Sequence, residues 1–422
     1  MGIFSEQVVI NRDIEGVESY VMPTSATDVV TISGSMLGGA LHSLDKNNKV
    51  SSMTAAMLDK GTIDKDKYKI SDILESVGAE LHFSNTLYHT HFTGFCLKNN
   101  LETVVTLLAE QVRKPRFSSD ELSILKTRII GNLERNKEDT KKLALIGLLR
   151  NIFPQSHPNY RETIESSIDL IGKVSTQDLL SFHAKQYGLG SLKVVAAGDL
   201  APESFNNLIA KAFGGWAHKK SEIPRIKEKA LKTKGATKEI NVPDKTSSDL
   251  YLGQAIGIDR DHKDYYALMM GIYVLGGNFS ARLMQSVRDK QGLTYGIGSS
   301  ISGVSFGADG YWSTWGTFAP DILKKGKKAT IEQIQLWFKN GITEEELSAK
   351  KNTIAGSFKV SLDSTSGLSG KILSNAEQNR TVSYLDKYPE IIKNISLLEV
   401  NGAIKKYIDP KNMFAISAGT VA

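Results

Sequence analysis

Two residues in the second half of the chain have side chains that could stabilise a reacting carbonyl group. Arg288 and Tyr295 lie in the segment VLGGNFSARLMQSVRDKQGLTYGIGSS. A guanidinium and a phenol hydroxyl can both donate hydrogen bonds to a carbonyl whose oxygen gains negative charge during attack. The spacing alone favours a plainer interpretation, in which Arg288 pairs with Asp289 on a surface helix and Tyr295 is a core aromatic residue of a strand.

Residues that could bind a metal are few. His89 and His91 alternate on one face of a strand-like segment. Two histidines without a third ligand nearby make a weak site, so the sequence predicts a solvent-exposed pair. Cys96 is the only cysteine, which excludes an internal disulfide and any zinc site built from several thiolates. We expect it to be a buried strand residue.

The length and composition indicate a folded protein of two domains. The 422 residues exceed what one hydrophobic core usually organises, and the hydrophobic (41%) and charged (23%) fractions are ordinary for a globular protein. Much of the net charge of +6 comes from a lysine-rich stretch over residues 218–238. No aromatic residues interleave with these lysines, so the stretch is interpreted as a solvated linker and not as a nucleic-acid-binding patch.

The sequence carries no pattern for membrane insertion. No apolar run approaches the roughly 18 residues needed to span a bilayer, and the first residues lack the basic-then-apolar order of a signal peptide. We therefore expect a soluble chain. A signal peptide could have been removed, so both a periplasmic and a cytoplasmic location are compatible with the sequence.

The same order of elements occurs twice along the chain. A serine-capped helix is predicted over residues 119–139, and a second over residues 343–363, each preceded by an alternating strand and another amphipathic helix. One offset of 225 residues (347 − 122) superposes three pairs: Leu122 with Leu347, Lys126 with Lys351, and Gly131 with Gly356.

The repeat predicts an α+β fold that arose by tandem duplication. We expect an N-terminal domain over residues 1–217, a basic linker over 218–238 and a C-terminal domain over 239–422. A duplication of this kind is as compatible with a purely structural role as with a functional one, so the role has to be inferred from the candidate site residues.

The segment around Arg288 resembles a motif of the pitrilysin and mitochondrial-processing-peptidase family of zinc metallopeptidases. It keeps the family's Leu-Gly-Gly, Ser-x-Arg-Leu and Gly-Leu-x-Tyr elements. The resemblance implies that Arg288 and Tyr295 are the family's substrate-binding pair, which holds the backbone of a bound peptide near the scissile bond. The other motif residues are interpreted as structural, shaping the turns that present the pair: Arg282, Gly276, Gly277 and Gly292.

Residues 52–62, SMTAAMLDKGT, resemble the family's zinc-binding segment but lack its chemistry. In the family this helix carries the inverted motif His-x-x-Glu-His, which supplies two zinc ligands and the glutamate that activates water. The remaining zinc ligand of the family is a glutamate in a Leu-Glu-Glu turn of the long helix. The resemblance therefore implies a degenerate zinc site, with no cofactor bound by this chain, at five positions: Ser52, Ala55, Ala56, Gly131 and Asn132.

Weaker matches extend the resemblance over nearly the whole chain and imply two sandwich domains that form half of a clamshell. Residues 77–92 resemble a family strand that receives substrate by edge pairing in catalytic halves. Residues 191–200 resemble the strand that ends the first half, and residues 398–413 resemble the last helix.

The resemblance implies a non-catalytic, substrate-binding subunit of a heterodimeric zinc peptidase, whose zinc belongs to a homologous partner chain. The glycine-rich insertion typical of the mitochondrial non-catalytic subunit is absent from LGGNFSARL, which points to a bacterial pair. Two alternatives stay open. One is a structural interaction protein resembling the family's core subunits in the respiratory cytochrome complex, against which the retention of Arg288 and Tyr295 argues. The other is a peptide-binding homodimer without activity.

The degenerate zinc positions give a first prediction. Because none of these five residues supplies a zinc ligand or a general base of the family type, the purified chain should bind no stoichiometric zinc and should cleave no peptide alone. Elemental analysis and a peptidase assay measure both. One tightly held zinc per chain, lost to a chelator together with peptidase activity, would contradict this expectation.

Overall fold

The computed structural model describes residues 4–43, 47–219, 222–224, 226–305 and 307–420. The chain forms two compact units, each assembled from three separate segments. The first unit contains residues 1–130, 167–224 and 357–389, and the second contains residues 131–166, 225–356 and 390–422. The boundaries predicted at residues 217 and 239 separate the two copies of the sequence repeat, and they stay predictions. Within the predicted linker 218–238, residues 220, 221 and 225 lie outside the described residues.

The predicted order of a strand followed by two helices occurs in both halves, at residues 89–136 and 311–360. The strands are β1 (Val9–Asn11), β2 (Val17–Pro23), β3 (Val29–Leu37), β4 (Glu80–Asn85), β5 (His89–Leu97), β6 (Leu192–Gly198), β7 (Thr237–Asn241), β8 (Ser248–Ala255), β9 (Gly296–Ser302), β10 (Tyr311–Phe318) and β11 (Phe414–Gly419). The helices are α1 (Phe4–Gln7), α2 (Lys49–Ala56), α3 (Lys67–Ser76), α4 (Leu101–Arg113), α5 (Ser119–Asn136), α6 (Thr140–Ile152), α7 (Ile164–Gly172), α8 (Thr176–Gln186), α9 (Pro202–Phe213), α10 (Tyr265–Gly276), α11 (Leu323–Asn340), α12 (Glu344–Val360), α13 (Thr365–Glu377), α14 (Ser383–Lys393) and α15 (Leu397–Tyr407). A π-helix spans Met284–Lys290, and short 3₁₀ helices span Ala40–Ser43, Lys98–Asn100 and Pro320–Ile322.

The first unit is organised by a mixed sheet in the order β1-β2-β6-β3-β5-β4. β2 and β6 are parallel, and the remaining neighbours are antiparallel. Nearly every residue of β3 is buried, as expected for a strand that is covered on both faces. β4 forms one edge, so its outer backbone groups are not paired within the sheet.

The helix α13 covers this sheet at β3 and β6. Two pairs of hydroxyl groups join the helix to β3, Thr31 with Thr365 at 2.7 Å and Ser33 with Ser369 at 2.9 Å. The apolar face of the helix packs with buried side chains of β2 and β6. Its contribution to this core consists of Leu368, Ile372, Leu373 and Ala376.

The second unit is organised by a sheet in the order β7-β11-β8-β10-β9. β7 and β11 are parallel, the other neighbours are antiparallel, and β9 forms an edge. The helix α6 packs against β8 and β11. Its first residue, Thr140, donates a hydrogen bond of 2.6 Å to the buried carboxyl group of Asp249 in β8. Leu148, Leu149 and Ile152 of α6 join the apolar core of this unit.

The helices α6 and α13 are equivalent in the repeat and are exchanged between the two halves of the chain. The offset of 225 residues places Thr140 on Thr365, the first residues of the two helices. The helix α6 comes from the first half of the sequence and packs on the sheet of the second half. The helix α13 comes from the second half and packs on the sheet of the first half. Because the exchange is reciprocal, each compact unit depends on both halves of the sequence.

The structure confirms the fold class as a mixed α and β architecture with two sheets. The helices predicted over 119–139 and 343–363 are present as α5 and α12. Cys96 is a buried strand residue as predicted, and burial raises the pKa of its thiol to about 11. Within the described ranges, no helix combines the length and the apolar character that crossing a membrane requires.

Candidate functional site

The helical segment that carries Arg288 ends at a glycine that redirects the chain. The N–H of Gly292 donates to the carbonyl of Arg288 at 2.9 Å, and the N–H of Leu293 donates to the carbonyl of Val287 at 3.0 Å. Each bond spans one residue more than the corresponding bond of a Schellman cap, as suits the end of a π-helix. The turn uses the left-handed backbone that Gly292 adopts at φ +61°. Leu293 and Val287 are both buried.

Thr294 fixes the turn that follows the cap. Its buried hydroxyl lies within hydrogen-bonding distance of the carbonyl oxygens of Thr317 and Gly296, and it accepts a bond of 3.2 Å from the N–H of Gly296. Tyr295 stands between these anchored residues, and its side chain is 90% exposed. The interpretation of Tyr295 as a core strand aromatic is therefore wrong. The anchored backbone instead presents its ring and hydroxyl to solvent.

Arg288 lies directly against this exposed tyrosine. Its Nε donates to the backbone carbonyl of Tyr295 at 3.0 Å, and its guanidinium carbon lies 5.7 Å from the centroid of the Tyr295 ring. Its Nη1 also lies 3.1 Å from Oδ1 of Asp289, so the expected surface pair with Asp289 is present. Within the described chain these bonds use two of the five N–H donors of the guanidinium, which leaves donors for a ligand.

The pair lines an open pocket of about 580 Å³ beside the edge strand β9. The pocket is lined mainly by apolar groups, including the 79% exposed ring of Phe279 together with Met284 and Trp315. Gly276 allows the end of α10 to approach β9 closely, since a Cβ there would lie 2.5 Å from the backbone nitrogen of Ser299. The arrangement combines an apolar surface, hydrogen-bond donors and a strand edge, which suits an extended peptide.

Arg282 contacts the protein itself and not the pocket. Its Nε and Nη2 each lie 2.6 Å from a carboxylate oxygen of Glu346, giving a bidentate ion pair. Glu346 also accepts a bond of 2.8 Å from the N–H of Thr343 at the start of α12. Burial raises the pKa of Glu346, but the bonds from Arg282 and Thr343 outweigh it and hold this pKa below its ordinary value. This geometry supports the structural interpretation of Arg282.

The degenerate zinc positions lie on two helices. Ser52, Ala55 and Ala56 are on α2, where Ser52 is exposed, Ala55 is buried and Ala56 is half-buried. The Ser52 hydroxyl donates to the carbonyl of Lys49 at 3.0 Å, so its hydrogen bond is made within its own helix. Gly131 and Asn132 are on α5. A side chain at Gly131 would have only Arg135 within 4 Å, which shows that the position has room for a larger residue.

His89 and His91 are not the solvent-exposed pair that the sequence predicted. His89 is only 4% exposed, and His91 is half-buried. Glu377, the last residue of α13, lies 2.6 Å from Nε2 of His91 and 4.0 Å from Nδ1 of His89. The prediction failed because the third group comes from a helix of the other half of the chain.

Two models of one peptidase family match this chain. Residues 21–165 match the model described as insulinase (peptidase family M16), and residues 173–354 match the model described as peptidase M16 inactive domain. Together the two models match more than three quarters of the 422 residues. The chain belongs to peptidase family M16.

The chain is similar to relatives with contrasting names. An uncharacterized zinc protease of Mycobacterium tuberculosis is 24% identical over 383 residues, which are 88% of this chain and 82% of that protein. The non-peptidase homolog YmxG of Helicobacter pylori is 25% identical over 390 residues, which are 90% of this chain and 86% of that protein. A crystal structure of a peptidase M16 inactive domain from Pseudomonas fluorescens matches with a TM-score of 0.87 at 25% identity and covers 98% of both chains.

The sequence did not indicate every residue that shapes the site. Thr294 was not singled out, although it lies inside the Gly-Leu-x-Tyr motif and anchors the turn beneath Tyr295. Phe279 lies inside the quoted glycine-rich segment, and its exposure marks it as part of the pocket. Neither residue has a local signal beyond its place in the motif.

The Arg282 geometry gives a prediction about stability. Arg282→Ala should lower the free energy of unfolding by about 1 kcal/mol, because the ion pair that supports the start of α12 is lost and is only partly shielded from water. Chemical denaturation measures this loss. A fall in substrate affinity without any loss of stability would show that Arg282 contacts the ligand instead.

Proposed function

We propose that this chain is the non-catalytic, substrate-binding subunit of a two-chain zinc peptidase. The zinc and the general base would belong to a homologous partner chain with an intact His-x-x-Glu-His motif. The observation that carries the proposal is the 90% exposure of Tyr295 beside Arg288 in the lining of the pocket. An aromatic side chain exposed to this extent adds little to the core, so its fixed presentation is best explained by a ligand.

The two side chains have complementary roles in this proposal. Arg288 is held against the Tyr295 backbone by its Nε bond, which orients the rest of the guanidinium fork for a peptide carbonyl. The Tyr295 hydroxyl, to which no described residue is hydrogen-bonded, is available as a donor to the carbonyl at the scissile bond. Its hydrogen bond strengthens as that oxygen gains negative charge, and it therefore contributes to catalysis in the partner's site.

The residues of α2 do not fit the zinc that the family's catalytic members carry. Alanine at positions 55 and 56 offers no lone pair to a metal, and the hydroxyl of Ser52 is a poor zinc ligand. No side chain among these three can act as a general base toward water. No step of zinc-dependent hydrolysis is therefore assigned to this chain.

The family matches support the absence of independent activity. The second half of the chain matches a model described as an inactive domain, and one relative is named a non-peptidase homolog. Another relative is named a zinc protease. A fold that occurs under both names is compatible with a division of labour between two homologous chains.

Mixing gives the first test of the proposal. Combined with a homologous chain from the same organism that carries His-x-x-Glu-His, this chain should form a heterodimer with peptidase activity that neither chain has alone. Size-exclusion chromatography and a peptide turnover assay measure assembly and activity. A partner that is fully active alone and gains nothing from this chain would favour the structural interaction protein. Peptide binding by a homodimer of this chain would favour the third alternative.

Removing the Tyr295 hydroxyl isolates its role. Tyr295→Phe keeps the ring, so the heterodimer should still form while kcat/KM falls by about 10-fold to 1000-fold, the range for losing one oxyanion donor. The matched control is Tyr68→Phe on α3, because Tyr68 is 70% exposed and has Lys67 5.1 Å from its ring. This control should leave turnover unchanged.

Removing the arginine should affect ground-state binding as well. Arg288→Ala should raise KM in the heterodimer, since a contact to the peptide backbone disappears before any charge develops. Steady-state kinetics with the purified heterodimer separate KM from kcat. If Arg288→Ala and Tyr295→Phe both leave these kinetics unchanged, the pair does not contact the substrate.

A further inference from the structure

Three potential metal ligands converge in the first unit, and none of them is one of the degenerate zinc positions. His89 and His91 project from the same face of β5, and Glu377 ends α13. Each residue offers one ligand atom, and these three atoms all lie within 4.8 Å of one another. The three residues therefore form one cluster, although Glu377 is 286 residues from His91 in the sequence.

The spacing of these atoms is close to that of a metal site. Two imidazoles and one carboxylate are a donor set that zinc and other divalent transition ions accept. Bonds of about 2.0–2.2 Å in tetrahedral geometry place neighbouring ligand atoms about 3.3 Å apart. The Glu377 oxygen is 2.6 Å from His91 and 4.0 Å from His89, so small side-chain rotations in opposite directions would reach this spacing. The proton shared by His91 and Glu377 would then be replaced by the ion.

Glu377 supplies the negative charge of the cluster, and its side chain is only 12% exposed. The positive charge of Lys193, which lies near His89, is offset by Glu18 at 3.2 Å.

A buried hydroxyl lies beside the cluster. Ser35 is fully buried on β3, in register with His91 and close to Glu377. Its Oγ makes no hydrogen bond of ordinary geometry within the described chain. A water molecule on a bound ion would give this hydroxyl a well-placed partner.

We propose that His89, His91 and Glu377 form a structural site for one divalent transition-metal ion of the zinc type. The ion ties the end of the exchanged helix α13 to β5, whose neighbour β3 carries the hydroxyl contacts of this helix. In the equivalent helix α6, the position of Glu377 is occupied by Ile152, which is buried in an apolar core. The site is therefore a feature of one half of the duplication and not a property of the repeat.

This proposal revises the expectation that the chain binds no stoichiometric zinc. That expectation rested on the family positions on α2 and α5, and on the lack of a third ligand near the two histidines. Glu377 supplies the third ligand. Zinc at this site would be held without peptidase activity, so binding here and the absence of hydrolysis are compatible.

Titration of the metal-free full-length protein with zinc chloride tests the proposal. Calorimetry should show one equivalent bound, and zinc should raise Tm by about 2–4 °C at saturation. Glu377→Gln keeps the shape of the side chain, and His91→Gln keeps a polar side chain of similar length. Each should weaken zinc binding by at least about 10-fold. The matched control is His82→Gln, because His82 and Glu80 form a histidine–carboxylate pair on the neighbouring strand that is 72% exposed on both sides. This control should bind zinc as the unchanged chain does.

Two results would overturn the site. The first is the absence of a one-equivalent binding event in the unchanged chain, and the second is equal affinity in the Glu377→Gln, His91→Gln and unchanged proteins. If either variant fails to fold, X-ray absorption of the zinc-loaded unchanged protein gives the ligands directly. Two imidazoles with oxygen ligands are expected, and a shell of oxygen atoms alone would contradict the proposal.

Discussion

The reciprocal exchange of α6 and α13 is the constraint on which the rest of the structure depends. Each helix buries an apolar face on the sheet of the other half of the chain, and each fully buried Leu or Ile contributes about 1.5–3 kcal/mol relative to exposure. Hydroxyl contacts fix the register of both helices, Thr365 with Thr31 and Thr140 with Asp249. Each of the two cores therefore contains a helix from the other half of the sequence. The cluster around Glu377 lies at the end of one exchanged helix, where a metal ion would secure the same arrangement.

The candidate substrate site depends on a local device in the second unit. Gly292 ends the π-helix, and Thr294 anchors the following turn. The side chain of Tyr295 is therefore held in solvent and not in the core. The Arg288 guanidinium also donates a hydrogen bond to the backbone carbonyl of Tyr295 in this turn. Rigid presentation reduces the entropy that a ligand must lose on binding. On α2, the sequence resemblance places Ala55 and Ala56 where the family has its catalytic glutamate and a zinc-binding histidine. The proposed function combines a substrate-binding pair, Arg288 and Tyr295, with a helix α2 that offers no zinc ligand.

Much of the fold could be predicted from the sequence, since apolar periodicity and caps are local signals. The helices α5 and α12 and their offset of 225 residues follow from such signals. The exchange of α6 and α13 could not be predicted, because an amphipathic helix does not specify which sheet it covers. The importance of Arg288 and Tyr295 came from a resemblance, as their spacing alone favoured a structural role for both. Glu377 was missed because tertiary packing, and no local pattern, brings it to His91.

The most direct test of the central claim is photo-crosslinking from position 295 in the assembled heterodimer. A benzophenone amino acid in place of Tyr295 keeps an aromatic group at this position and labels what it contacts. The matched control places the same probe at Leu398, which is 84% exposed on the second unit. The account predicts that a substrate peptide is captured at position 295 and not at position 398, and that excess unlabelled peptide prevents the capture. Equal labelling from both positions, or labelling that competing peptide does not reduce, would contradict the assignment of Tyr295 to the substrate.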